Sequence, residues 1–276
     1  MQQSIETGTE EFLAHVEHGV AVLTLNRPER LNALSPGIYS GLATSLEAVR
    51  NDDDVRVVMV TGAGRAFCAG GDVKRMNNDN QSGGGRAAQS HEQRLDDLQR
   101  RQREVSLALH HFPKPVVAAI PGAAAGAGLS IALAADLRIA SPKALIITAF
   151  ANIGASGDFG GSWFLTQLVG SAKAKDLYFR SPRLSAEEAL DLGLVTEILD
   201  GEDFGAAAFA WCVDLANRAP LALRHMKENL NRAIVADLST ALDHEAENMV
   251  LTMSSDDHKE AAAAFVEKRD PVFRGR

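Results

Sequence analysis

Residues 115–141 read "PVVAAIPGAAAGAGLSIALAADLRIAS". The first part, 115–128, is a continuous apolar run that ends in a loop of glycine and alanine. A short apolar run closed by glycine reads as a strand buried on both faces, as inside a parallel sheet. "LSIALAAD" (129–136) follows as a buried helix, and "LRIAS" (137–141) as another strand. Strand, small-residue loop, helix and strand in succession predict an α/β protein.

The same order appears upstream. "VRVVMVTG" (55–62) is a second buried, parallel-type strand, and it runs into the glycine-rich loop "GAGRAFCAGGD" (62–72). "FLAHVEHGVAVLTLNRP" (12–28) alternates apolar and polar residues around Gly19, which predicts a hairpin or two consecutive antiparallel strands. "SPGIYSGLATSLEAVRND" (35–52) opens with Ser35 as N-cap and Pro36 in the first turn of a helix. Residues 77–90, "NNDNQSGGGRAAQS", carry almost no apolar mass and predict a mobile loop. Helical spacing returns over 91–112 and stops at Pro113, and "LSAEEALDLGLVTEIL" (184–199) reads as a capped short helix followed by a strand. From about residue 203 onward everything is helical in pattern. The expected organisation is a core of repeated ββα units over 1–200 and a helical segment over 201–276.

Composition bounds the function. The chain has 276 residues, 46% hydrophobic and 23% charged, enough apolar mass for a full core. The net charge of −8 repels phosphate backbones, so nucleic acid is not an expected partner. The basic stretch "QRRQRE" (99–104) is short and mixed with acid, which argues against an RNA-binding side role. No apolar run approaches the roughly 20 residues that span a bilayer. The polar N-terminus does not read as a secretory signal. Two distant cysteines, Cys68 and Cys212, predict a reducing compartment, with the cytoplasm as default. No His, Cys or Asp spacing predicts a metal site.

The loops 62–72 and 121–128 each follow a buried strand and precede a helix. Backbone N–H groups at such a junction can serve an anion or a developing oxyanion. A plainer role for the same glycines is close strand–helix packing. "VMVTGAGRAF" has the Gly-x-Gly of a dinucleotide loop but lacks the third small residue and the acidic residue further on. No Gly-Lys-Ser/Thr of a phosphate-binding P-loop occurs.

Five segments, "NRPERLNALS" (26–35), "GRAFCAGGDVK" (64–74), 115–141, "GDFGGSWFLTQLVG" (157–170) and "LSAEEALDLGLV" (184–195), stand in the order of the crotonase, or enoyl-CoA hydratase/isomerase, superfamily. The tail "DHKEAAAAFVEKRDPVFRGR" also resembles that family. The resemblance implies a spiral of ββα units whose C-terminal helices build trimers or dimers of trimers. It implies an acyl-CoA thioester as substrate, with CoA part of the substrate and no separate cofactor. The thioester carbonyl is expected between the amides of Gly71 and Ala127, the latter standing where the family usually has glycine. By the same resemblance, Arg30, Leu31, Ala66, Cys68, Ala69 and Lys268 are expected to contact CoA. For Arg30 and Lys268 a solvated surface cation is the competing reading.

One departure decides the expected chemistry. The family's hydratases hold water between two glutamates, and Ser130 and Phe150 stand at those positions here. The remaining carboxylate is Asp158, in "GDFGGSW", a local pattern most similar to ring-epoxide isomerases of the superfamily. One carboxylate can remove a proton and return it elsewhere, which is isomerisation. The alternatives are a hydratase that uses Asp158 with water held by Ser130, and an acyl-CoA binder without catalysis. Plainer roles for Asp158 are an N-cap of the helix that follows or a partner for arginine. Cys68 lacks a local base and reads as a packed small residue; Trp163 reads as core or pocket wall.

Overall fold

The computed structural model describes residues 2–73, 77, 78, 81 and 89–276, so the loop expected over 77–90 falls mostly outside the described residues. The upstream apolar run forms strand β4 (Val57–Gly62), and its two faces are both covered, which is why it has no polar alternation. Val58 and Val60 point into one core, Val57 and Met59 into another. The neighbouring strand β3 (Val20–Leu25) repeats the division, with Ala21, Leu23 and Leu25 on one side and Val20 and Val22 on the other.

Among the described residues the strands form two sheets. The first has seven, in the order β1 (Gln3–Ile5), β2 (Phe12–Glu17), β3, β4, β6 (Val116–Ile120), β8 (Leu137–Ala140) and β11 (Glu197–Ile198). β1, β2 and β3 are antiparallel, with Phe12 opposite Leu25, and every later pair is parallel, with Val20 opposite Val57 and Val58 opposite Val116. The second sheet has four strands, ordered β10 (Leu184–Ser185), β9 (Leu145–Ile147), β7 (Ala123–Ala125) and β5 (Ala66–Cys68). β4–β5, β6–β7 and β8–β9 therefore each place one strand in each sheet before a helical segment follows. This is the expected ββα repetition. β5 lies inside the stretch expected as loop; three residues are too few to show a period.

The helices that follow these pairs set the layers. Helix α1 (Pro36–Arg50) is capped by Ser35, whose side chain accepts from the Ile38 amide, and it buries Ile38, Leu42, Leu46 and Val49 against the sheet. Each such side chain contributes about 1.5–3 kcal/mol by burial. Helix α2 (His91–Gln102) passes through a π-turn at Arg103–Leu107 and ends at Ala108–His110, short of Pro113 as expected. Helix α3 (Ala127–Leu133) is wholly buried, and α4 (Gly161–Arg180) is broken at Gly170. Then come α5 (Ala186–Asp191) and four C-terminal helices: α6 (Phe204–Ala216), α7 (Pro220–Ala233), α8 (Leu238–Met253) and α9 (Asp256–Glu267).

Helix α6 closes the second core with Ala208, Cys212 and Ala216, small residues four apart that let it lie close to the sheet. Helix α7 is tied down by Lys227, whose Nζ is 2.8 Å from Asp136 Oδ2, an oxygen that also accepts from the Val116 amide at 2.7 Å. Burial pulls the Lys227 ammonium below its ordinary value, and the Asp136 carboxylate opposes that. Among the described residues no helix is long and apolar enough to cross a membrane.

Candidate active site

The two small-residue loops meet. β5 ends at Cys68, and Gly70 then takes a φ of +87°. A Cβ at Gly70 would fall 2.7 Å from the Ala125 carbonyl oxygen and 3.3 Å from the Ala127 nitrogen. Only glycine fits that approach. Gly70 is thereby packed against the start of α3, with Gly71 one peptide further on. Ala127 is the first residue of α3, so its N–H has no acceptor within the helix. Its backbone is helical rather than left-handed, and alanine replaces glycine there without strain.

The segment that opens with "NRPERLNALS" holds the first loop from below. Leu34 N–H donates to the Gly70 carbonyl at 2.8 Å and Ala69 N–H to the Leu31 carbonyl at 2.9 Å. Asn32 is fully buried with a φ of +56°. Its amide nitrogen donates to the carbonyls of Ala63 and Ala66 at 2.9 and 2.7 Å, and its oxygen accepts from the Arg27 amide at 2.9 Å. Arg27 in turn lies 3.5 Å from Asp72 and 3.1 Å from Glu11. Asn32 was not singled out in the sequence; its signal is the tolerance of asparagine for left-handed backbone.

The expected CoA contacts divide. Leu31, Ala66, Cys68 and Ala69 stand together along the first loop, with Arg30 exposed beside them. Cys68 is fully buried, its Sγ 3.0 Å from the Asn32 carbonyl, and burial pushes its thiol up to about 12. It is the packed small residue expected, and only its backbone is available to a ligand. Lys268 is an exposed cation that ends α9 on the C-terminal segment.

Asp158 lies in a turn fixed from both sides. Gly157, Phe159 and Gly160 all have positive φ, at 106°, 52° and 77°. For phenylalanine this conformation costs about 1–2 kcal/mol. It is offset by full burial of the ring, which stacks on Tyr39 at 5.8 Å, and by donation from the Phe159 amide to Gln102 Oε1 at 2.8 Å. The helix that follows is capped by Gly160, without a side-chain cap, so Asp158 is not its N-cap. Asp158 is half-buried, with Oδ1 shut off from solvent.

Ser130 packs against Gly161 at the end of this turn, and Phe150 reaches it through Tyr178. Ser130 is buried and its hydroxyl donates to the Gly126 carbonyl at 3.3 Å. The Phe150 ring stacks on Tyr178 at 5.8 Å with 16° between planes. Tyr178 comes from the second half of α4, and sequence pattern gave no reason to separate it from core. On the outer side of the turn Trp163 is a pocket wall, lining a cavity of about 550 Å³ with Gln102, His110, Phe159 and Phe164. Burial brings His110 down to about 4, so it is a neutral ring near pH 7, packed on Trp163 and Phe164.

The structure thus packs the Gly70 turn on the start of α3 and the end of the Asp158 turn on Ser130 of the same helix, in a protein built of ββα turns. Comparison with known proteins gives this class its family. The enoyl-CoA hydratase/isomerase family model matches residues 15–276. The chain is 38% identical to the 1,2-epoxyphenylacetyl-CoA isomerase of Escherichia coli K12, across 97% of this chain and 99% of the relative. It is 35% identical to a short-chain-enoyl-CoA hydratase of Clostridium acetobutylicum, across 92% and 93%. The structure of an enoyl-CoA hydratase from Polaromonas sp. JS666 superposes with a TM-score of 0.87 at 34% identity, over 95% of this chain and 99% of that one. The chain belongs to the enoyl-CoA hydratase/isomerase family, and its fold is that of the crotonase superfamily.

Proposed function

We propose that this protein is an acyl-CoA isomerase that moves a proton through Asp158 while the amides of Gly71 and Ala127 hold the thioester enolate. Each backbone donor in a dry site is worth about 3 kcal/mol on the developing charge. That stabilisation makes the carbon beside the thioester acidic enough for a carboxylate to deprotonate. The observation that carries the reading is the makeup of the site: beside the Asp158 turn the Ser130 hydroxyl packs on Gly161, and the Phe150 ring reaches the turn only through its stack on Tyr178, and neither is a base. With Ser130 and Phe150 standing where the family's hydratases hold water between two glutamates, returning the proton to another carbon is the step this set of groups favours.

CoA would run along Arg30, Leu31 and the backbone of Ala66, Cys68 and Ala69, with Lys268 meeting a phosphate. Exposed apolar residues on the C-terminal segment, among them Val250 on α8 and Phe265 and Val266 on α9, support assembly through that segment into trimers or dimers of trimers.

A panel of linear, aromatic and cyclic CoA thioesters, each followed by chromatography of the products, tests the reading. The expected result is double-bond or ring isomerisation of at least one member at unchanged mass. Tight binding of the esters with turnover of none would overturn it in favour of a binding protein.

A further inference from the structure

The Tyr178 phenol has no role in the reaction described above. Its oxygen is closed to solvent and has no hydrogen-bond partner among the described residues. An orphaned buried hydroxyl destabilises the fold, which points to a use for it in another state. Its surroundings show where that use lies. The oxygen sits 2.6 Å from the point a Cβ on Gly161 would occupy, and Ser130 Oγ crowds the same point. It is 3.3 Å from the corresponding point on Gly157, the residue before Asp158. The ring is clamped on its face by Phe150. The phenol therefore stands against both ends of the turn that carries Asp158, beside the serine that replaces a glutamate.

Burial and the nearby Asp158 carboxylate push the Tyr178 phenol up to about 12, so it is a neutral donor throughout the working range. The remaining groups against it do not compete. Phe150 and Ser130 do not ionise in this range, and His110 packs at the first turn of α4, on Trp163 and Phe164, rather than against its second half. Asp158 is the charge that bears on the phenol.

We propose that Tyr178 is a positioning residue for Asp158, its hydroxyl donating to the carboxylate when the acyl group fills the site and turning it toward the reacting carbon. The packing of Ser130, Gly161 and Tyr178 leaves the pair dry, which suits proton return over hydration. The proposal rests on the reading that Asp158 serves the reacting carbon.

Tyr178→Phe tests it, since the ring keeps its stack on Phe150. A donor to a carboxylate favours its charged form, so losing the donor raises the carboxyl pKa. The primary readout needs no turnover. With a CoA thioether filling the site, the infrared carboxyl band that Asp158→Asn abolishes reports the titration of Asp158. In Tyr178→Phe that titration is expected to move up by about one pH unit. On any ester that turns over, the acid limb of the kcat profile moves the same way, and kcat falls about tenfold with KM little changed. Thermal stability should hold or rise, because an unpaired buried hydroxyl is gone. A titration and acid limb that stay in place would overturn the proposal, whatever the stability. Failure of the isomerase reading looks different: Asp158→Asn would then turn over normally while the infrared titration still responded to Tyr178→Phe.

Discussion

Asp158→Asn is expected to lower kcat by about a thousandfold on the ester that turns over best, while the Kd for CoA esters changes by less than about threefold. The change removes one proton-accepting oxygen and keeps size and shape. The turn should survive it, because Gly157, Phe159 and Gly160 hold the turn through their own backbone angles and through the Phe159 ring on Tyr39. Gln102 still accepts from the Phe159 amide, 2.8 Å away. A thousandfold loss corresponds to about 4 kcal/mol of transition-state stabilisation at 1.36 kcal/mol per tenfold. Calorimetric binding separates this from a folding defect. Turnover within a few-fold of wild type would remove Asp158 from the chemistry.

The second large effect belongs to Ala127. Ala127→Pro deletes an N–H and little else, since the first position of a helix is the one place where proline fits without breaking a hydrogen bond. The preceding residue, Gly126, has no Cβ to meet the proline ring. The Ala127 amide has no partner within α3, so its loss costs the fold little and, on the proposed reading, removes one donor from the enolate. The expected result is a fall of about 10²–10³ in kcat/KM with the melting temperature shifted by only a few degrees. Ala127→Gly keeps the N–H and should stay within a few-fold of wild type. Equal activity of the proline and glycine variants would mean that this amide does not serve the reaction.

The long elements were readable because their patterns are complete in sequence. Ser35-Pro36 announces α1, and the unbroken apolar run 57–62 announces a strand covered on both faces. The second sheet was not readable, because β5, β7 and β9 have three residues each, too few to show a period, and β7 is alanine throughout. The π-turn at 103–107 leaves no mark either, since its residues are ordinary helix formers. At the site, Gly71, Ala127 and Asp158 came from resemblance, and the chain supplies the physical reason afterwards: Gly70 must be bare to touch the start of α3. Asn32, Gln102 and Tyr178 were missed because each acts through hydrogen bonds or a ring face to residues far off in sequence, which leave no local pattern. Tyr178 in particular sits in helical spacing beside buried Leu177 and looks like core.

The most direct measurement is the fate of solvent oxygen. The enzyme is supplied, in separate runs, with a β,γ-unsaturated CoA ester and with its α,β-unsaturated isomer in water enriched in oxygen-18, and the acyl chain is analysed by mass spectrometry. Proton movement through Asp158 in a dry site gives the α,β-unsaturated ester with no heavy oxygen in the chain. A 3-hydroxyacyl-CoA carrying solvent oxygen at its β-carbon, formed at the rate of overall turnover, would contradict it and make the protein a hydratase.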